Sequence, residues 1–480
     1  MTSWGPLQPL YAQLLKEEQQ QDGEKDRRQA DLALARVLNS DETSQAITNA
    51  SLEQLDLALA HDALAVERKP LCHLFLLSTK SAKVEQFVAR RATTDDSVQW
   101  LGIASRLVAQ VSQFLYQVPV YVASKEIRRV SSLCVHYVNL VVGLQQGIRA
   151  VFPLKSFLRR FHQHGNTDVT PIHGQFMYLC LRAKCYSAAM EILDQPLFEV
   201  HSQTHLVSAV DVLSYAYYGG LLYLGEKRYQ DTIDLFLMAV TVPAVALSAF
   251  VVESYKKLLL ASLILRGEVE PLPKYTPFVV TRHLEMHCGP YLELSRAFTG
   301  DKSVEAVAKV HETYAAVFAK DGNNGLVKQV IEALKQQKLL KLPRTYVTIP
   351  LAEMTKAADM EISGDIGAEK MLLQLVARGD MAAVIDKQKG MIKFVLDDDD
   401  HHVNNQENEL EQMLAMEKLQ AEMEKILHIS SQLRAVDTEV VTSAKFQSRL
   451  QKDKDRRLRG GPSGGDERVG GGPPGLEGMD

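Results

Sequence analysis

The run Tyr215-Ala-Tyr-Tyr-Gly-Gly-Leu-Leu-Tyr-Leu-Gly-Glu-Lys-Arg-Tyr229 decides the reading of this chain. Its glycines and aromatics sit where two antiparallel helices have to touch. Glycine costs a helix interior about 1 kcal/mol relative to alanine, so the pair Gly219 and Gly220 marks a close approach. Tyr223 is expected to fill the gap, Ala239 to leave room on the partner helix, and Pro243 to end the hairpin. The stretch carries no cluster of acids, histidines and nucleophiles, so it speaks of packing and not of catalysis.

A weak repeat surrounds it. Arg182-Ala-Lys-Cys-Tyr186-Ser-Ala-Ala-Met-Glu-Ile-Leu193 aligns with Gly225-Glu-Lys-Arg-Tyr229-Gln-Asp-Thr-Ile-Asp-Leu-Phe236, with the tyrosines 43 residues apart. That period suits helix–turn–helix solenoids of the tetratricopeptide kind, whose units stack to bury their apolar faces. Helical repeats are assigned to 166–342. They include two further helical pairs over 244–340, an apolar face of Val304, Val307, Ala308 and His311, and a turn at Asp321-Gly-Asn-Asn-Gly325.

Upstream, residues 1–165 read as a helical region. Leu32, Leu34, Val37 and Leu38 open an amphipathic series, and Ile103, Leu107, Val108, Val111 and Leu115 continue at helical spacing. Residues 17–29 are polar, an exposed helix end or loop. The run His162-Gln-His-Gly-Asn-Thr-Asp-Val-Thr-Pro171 has loop residues and is read as the first domain boundary.

Downstream, the pattern changes at Pro343. Thr345-Tyr-Val-Thr-Ile-Pro350 suits a strand, and Leu351, Met354, Thr355 and Ala358 mark a helix face. Ser363-Gly-Asp-Ile-Gly367 reads as a turn. Leu372, Leu375 and Val376 mark a second helix that stops at Gly379. Ala383-Val-Ile385 and Met391-Ile-Lys-Phe-Val395 then flank a hairpin turn. This order, over 343–396, is that of a winged helix. After a solvated break at 397–402, residues 406–436 form one helix in which Met416, Leu419, Met423, Ile426 and Leu433 make a coiled-coil-like stripe. The charged and Gly/Pro-rich stretch 452–480 cannot bury a core and is expected to be disordered.

At 480 residues the chain is too long for one core, while 46% apolar and 24% charged residues are ordinary for a folded protein. A net charge of −5 gives no reason for nonspecific attraction to nucleic acid or anionic membrane. Cys72, Cys134, Cys180, Cys185 and Cys288 are odd in number and lack C-x-x-C spacing, so they read as buried free thiols in a reducing compartment. The N-terminus has no secretory pattern, and the longest apolar runs fall well short of the ~20 residues of a membrane span. Cytoplasm and nucleus are the expected locations.

Candidate chemistry dissolves on inspection. In His283-Leu-Glu-Met-His287 the glutamate does not directly follow the first histidine, as an H-E-x-x-H zinc site requires. His162-Gln-His164 resembles the histidine pair of isopeptidase metalloproteases, but the required aspartate is Gln175. His311 reads as a hydrogen-bonded core residue, and 397–402 as solvated. No phosphate loop or nucleophile elbow occurs. No catalytic, metal or cofactor residue is assigned. For nucleic acid, the recognition helix 368–377 with Arg378 offers about two cations, where duplex binding needs several. Lys387, Lys389 and Lys393 on the wing keep that alternative open.

Helical hairpins running into a winged helix resemble the PCI-domain family, found in the proteasome lid, the COP-nine signalosome and translation initiation factor three. Within it the chain is similar to the third-subunit family of the signalosome. The residues carrying this are Leu179-Cys-Leu-Arg-Ala-Lys-Cys185, Tyr217-Tyr-Gly-Gly220, Glu253-Ser-Tyr-Lys-Lys257, Leu272-Pro-Lys-Tyr-Thr276, Asn323-Asn-Gly-Leu-Val-Lys-Gln329 and Asp386-Lys-Gln-Lys-Gly-Met391. The resemblance spans about 170–396, and the Gly/Pro-rich tail departs from it. It implies a non-catalytic scaffold in a hetero-oligomer that removes a ubiquitin-like modifier from cullin–RING ligases, with the metalloprotease on another subunit. It also implies contacts through winged-helix edges (Ile385, Ile392, Phe394) and a C-terminal helical bundle (Met416, Leu419, Met423, Ile426, Leu433). Contact with the cullin ligase is a further expectation; membrane and nucleic-acid partners are not. A lid or initiation-factor subunit is the same-fold alternative.

Overall fold

The computed structural model describes residues 38–448 and 451, apart from 39, 62–63, 91–96, 164–168, 196–206, 301–302, 358–363, 387–388, 395–404 and 445. The expectations for 17–29, Leu32, Leu34, Val37, His164, Ala358, Lys387, 397–402 and the tail from 452 lie outside those residues. Two compact units divide between Phe394 and Val395.

The first unit opens with α1 (Asp41–Asn49), α2 (Leu52–Leu59), α3 (Pro70–Arg90), α4 (Ser97–Gln117), α5 (Val120–Lys125), α6 (Ile127–Gly143) and α7 (Ile148–Gln163). Leu107, Val108, Val111 and Leu115 of α4 are buried, as their spacing predicts. The boundary expected at 162–171 is corrected. His162 and Gln163 close α7, Pro171 opens α8 (Pro171–Ala183), and one hydrophobic core runs across the join, through Phe157, Phe161, Ile172 and Phe176. Loop-type residues do not by themselves mark a domain boundary, because the apolar helix faces on either side still meet.

Next come α9 (Tyr186–Leu193), α10 (Ala209–Gly225) and α11 (Tyr229–Thr241). The 43-residue repeat is written into the backbone. Tyr186 and Tyr229 each open a helix, and Lys184 and Lys227, both at positive φ (56° and 62°), close the preceding one. Cys185 N–H donates to Cys180 O, and Arg228 N–H to Tyr223 O, both at 3.0 Å. These are Schellman ends, in which the left-handed residue lets the chain reverse while a helix carbonyl gains a partner. Ser208 starts α10 through a capping box with Asp211: its N–H donates to Asp211 Oδ2 at 2.9 Å, and its hydroxyl accepts the Asp211 N–H at 3.3 Å.

Gly220 does what its position implies. A Cβ built there would lie 2.5 Å from Cε1 of Phe236, a buried ring on α11. Ala239 is buried in the next core, and α11 stops two residues before Pro243. Tyr223 is placed differently from expectation. It lies one turn beyond Gly219, on the side facing Leu193, and donates to Asp194 Oδ1 at 3.1 Å at the end of α9. Phe236, not Tyr223, fills the gap over the glycine.

The two helical pairs expected over 244–340 are six helices among the described residues: α12 (Ala249–Leu265), α13 (Phe278–His287), α14 (Gly289–Thr299), α15 (Val304–Thr313), α16 (Ala315–Lys320) and α17 (Asn324–Lys341). The expected 321–325 turn is real at Gly322, whose φ is +69°, but Asn324 and Gly325 already belong to α17. Each central helix buries two faces. Helix α10 gives Tyr215 and Leu222 to the first core and Leu213 and Ala216 to the second; α12 gives Val251 and Leu258 to the second and Leu259 and Leu263 to the third. A helix apolar on both sides hands the core along the chain, which is how stacked repeats stay folded.

Between α12, α14 and the turn before α17 lies a buried charge network. Lys256 Nζ donates to Glu253 Oε1 and to Asp321 Oδ2, each at 2.8 Å, and Lys257 Nζ to Glu253 Oε2 at 2.9 Å. Tyr291 Oη also donates to Asp321 Oδ2 (2.9 Å) and accepts from Asn323 Nδ2 (2.9 Å). Burial alone would raise the Asp321 carboxyl, but the bonds from Lys256 and Tyr291 outweigh it and hold it below its ordinary value.

The winged helix follows: β1 (Thr348–Pro350), α18 (Leu351–Ala357), α19 (Gly364–Ala377), β2 (Ala383–Asp386) and β3 (Met391–Phe394). The turn expected at 363–367 is corrected, because Gly364-Asp-Ile-Gly367 forms the first turn of α19. Gly379, at φ +79°, follows the helix end as expected.

The second unit contains α20 (Asn405–Thr442), longer at both ends than the predicted 406–436 helix.

Candidate assembly interface

The small sheet decides what the wing can offer. All pairing is antiparallel in the order β1-β3-β2, with Ile349 opposite Ile392 and Ile385 also opposite Ile392. Strand β3 is therefore central, and the expectation that it leaves a free edge is corrected. Ile392 and Phe394 point into the core with Met354, Leu372 and Leu375, and have no exposed surface to lend a partner. The physical reason is that β3 carries the strand's best inward pair, so both other strands gain most by flanking it. Pro350, which lacks an N–H, sits on β1 at one edge, where proline is tolerated. The other edge is β2, where Ile385 is half-buried and Val384, unmarked by the sequence reading, is 59% exposed. An exposed strand edge presents unpaired backbone groups to another chain.

The C-terminal helix runs for 38 residues, about 57 Å at 1.5 Å per residue. Met416, Leu419, Met423, Ile426 and Leu433 are each between 54% and 75% exposed. Val436 and Val440 continue the three- and seven-residue steps and are also exposed, a continuation the sequence reading stopped short of. Most of a helix's stability in a protein comes from tertiary packing of its apolar face. Apolar side chains left exposed at heptad spacing make this helix the candidate bundle contact.

Of the candidate chemical residues, His311 has a structural role. His311 Nε2 bonds Asn324 Oδ1 at 2.7 Å, and its ring stacks on Phe318. His283 and His287 lie on α13, and no group of three or more His, Cys, Asp or Glu able to hold a metal occurs among the described residues. All five cysteines are free; burial pushes the Cys134, Cys180 and Cys288 thiols up to about 12, far from a reactive thiolate. No helix among the described residues is long and apolar enough to cross a membrane.

His162 forms a buried pair with His173, a residue the sequence reading passed over. Thr170 N–H donates to His173 Nδ1 at 3.0 Å, so His173 carries its proton on Nε2 and donates to His162 Nε2 at 2.9 Å. His162 then donates from Nδ1 to Gln195 Oε1. Both rings are neutral in this chain of bonds. Burial first, and then the neighbouring His162, lower His173 from 6.5 to about 3. A depressed histidine leaves the unfolded chain binding more protons below pH 6.5, so stability falls as pH falls through that window. Going from pH 7 to pH 5 is expected to cost about 2 kcal/mol from this group. Urea unfolding at both pH values measures it, and His173→Gln should shrink the difference by that amount.

Comparison with known proteins adds two family models and two relatives. A family model described as the N-terminal helical repeats of COP9 signalosome complex subunit 3 matches residues 32–280, and one for the PCI domain matches 311–395. A relative from Dictyostelium discoideum named COP9 signalosome complex subunit 3 is 32% identical over 289 residues, covering 58% of this chain and 68% of that protein. One of the same name from Arabidopsis thaliana is 28% identical over 326 residues, covering 68% and 72%.

Proposed function

This chain belongs to the COP9 signalosome subunit 3 family, and we propose that it is a non-catalytic scaffold subunit of that complex. Its neighbours are held through the β2 edge of the winged helix and through α20, and the deneddylating site that acts on cullin–RING ligases lies on another subunit. Contact with the cullin ligase, and residence in cytoplasm and nucleus, belong to the same reading; five free thiols support such a compartment.

The observation that carries the proposal is the α20 stripe, a coiled-coil-spaced apolar line left exposed along the helix. Serine at Met416, Leu419, Met423, Ile426 and Leu433 together removes the apolar line while keeping a helix-length polar sequence. Affinity purification with mass spectrometry should recover signalosome subunits with the unaltered chain and lose most of them with the variant. Undiminished recovery would refute the role of α20. Recovery of proteasome-lid or ribosomal proteins with the unaltered chain would refute the complex itself.

A further inference from the structure

A cleft of about 340 Å³ lies where the end of α12 meets the end of α17, and none of its lining residues belongs to β2 or α20. Its apolar lining is Leu265, Phe298, Leu334 and Leu340; Phe298 and Leu334 are almost fully buried, so Leu265 and the half-buried Leu340 supply its accessible apolar surface. On the α17 side the rim is cationic: Lys338, Lys341 and Arg344. Opposite them, Arg266 is already ion-paired with Glu270, and Glu268 adds a single carboxylate.

Cations in the last turn of a helix complement its dipole, which accounts for Lys338 and Lys341. It does not account for Arg344, which lies past the end of α17 in a short 3-10 turn (Leu342–Arg344). Lys341 and Arg344 are exposed and have no anionic partner among the described residues. Cationic side chains along one wall of an apolar-floored cleft are complementary to carboxylates flanking an apolar anchor. A bare phosphate polyanion would use the rim and waste the floor.

We propose that this cleft is a docking site for an acidic peptide segment of a partner protein, seated by an apolar side chain on Leu265 and Leu340 and held by Lys341 and Arg344. The cleft shares no residue with β2 or α20, so its failure would leave the scaffold reading intact.

The test uses the full chain and a fluorescein-labelled octapeptide, Asp-Asp-Glu-Leu-Phe-Glu-Asp-Asp, followed by fluorescence anisotropy. Binding is expected, weakening with added salt as charge pairing requires. The double variant Lys341→Glu, Arg344→Glu should weaken it by about tenfold or more, while Lys309→Glu on the exposed side of α15 leaves it unchanged. An unaltered melting temperature in the double variant shows that folding is not the cause; if that variant melts early, Lys341→Gln, Arg344→Gln takes its place, with about threefold weakening expected. Undiminished binding by the variants, equal binding of the peptide with Asn and Gln for its acids, or no binding at all overturns the proposal. Equal binding of a peptide with Ser-Ser for Leu-Phe, or full displacement by pyrophosphate, overturns it in favour of a simple anion site.

Discussion

Asp321→Ala is expected to cost about 3 kcal/mol of stability, concentrated where the helical repeats join the PCI region. The side chains of Lys256 and Asp321 are only 11% and 15% exposed, so removing the carboxylate strands a buried ammonium. Glu253 remains as a partner, but it is already shared with Lys257, and the Tyr291 hydroxyl loses its acceptor at the same time. Exposed ion pairs, by contrast, contribute at most about 1 kcal/mol. The location sharpens the expectation. Lys256 lies in the segment matched by the repeat family and Asp321 in the segment matched by the PCI family, so this pair ties one to the other. Stacked repeats need not unfold as one unit, so native-state hydrogen exchange is the right measurement. Protection in α16 and α17 should drop by more than that in α3 and α6. Lys256→Met combined with Asp321→Leu should recover most of the loss, because it removes both charges together. A cost below about 1 kcal/mol for Asp321→Ala would mean the pair behaves as a solvated one.

Gly220→Val is expected to cost about 3 kcal/mol. The new Cβ would sit 2.5, 2.8 and 3.0 Å from three carbons of the Phe236 ring, and that ring is fully buried with Tyr217 beside it. Neither α10 nor Phe236 can yield without opening the second core. Gly220→Ala sets two effects against each other: about 1 kcal/mol of helix propensity is gained and a larger overpacking cost is incurred, so the net is a loss. Gly102 provides the control. It lies on α4 with nothing within 4 Å of its built Cβ, and Gly102→Ala should stabilise by about 1 kcal/mol. Phe236→Leu should relieve Gly220→Ala, giving a favourable coupling energy in a double-mutant cycle by urea denaturation. Absence of coupling would show that the glycine is not there for the ring.

Much of this was legible in the chain, and the reasons differ by feature. The close approach at Gly220 could be read because a glycine pair inside an apolar helix is costly unless something fills its space. The Tyr186–Tyr229 period could be read because both turns reuse the same local hydrogen-bonding pattern, down to the left-handed lysines. The α20 stripe could be read because a heptad spacing is a property of one segment. Illegible were the relations between distant segments. Lys256 and Asp321 are 65 residues apart, and nothing near either names the other. Arg344 reads as a loop cation until α12 is brought against α17. His173 reads as an ordinary residue early in a helix until His162 donates it a neighbour.

Periodicity, turn chemistry and spacing by themselves determined a helical array leading into a winged helix and a long amphipathic helix, because those signals act within a few residues along the chain. Only the tertiary structure decided that β3 is the central strand, which turns Ile392 and Phe394 from interface residues into core and leaves the edge to β2. Only it decided that the first core continues from α7 into α8, and that charges from separate repeats meet in one buried network. Local sequence fixes what each segment can form; which faces are covered depends on which distant segments bury the most apolar surface together.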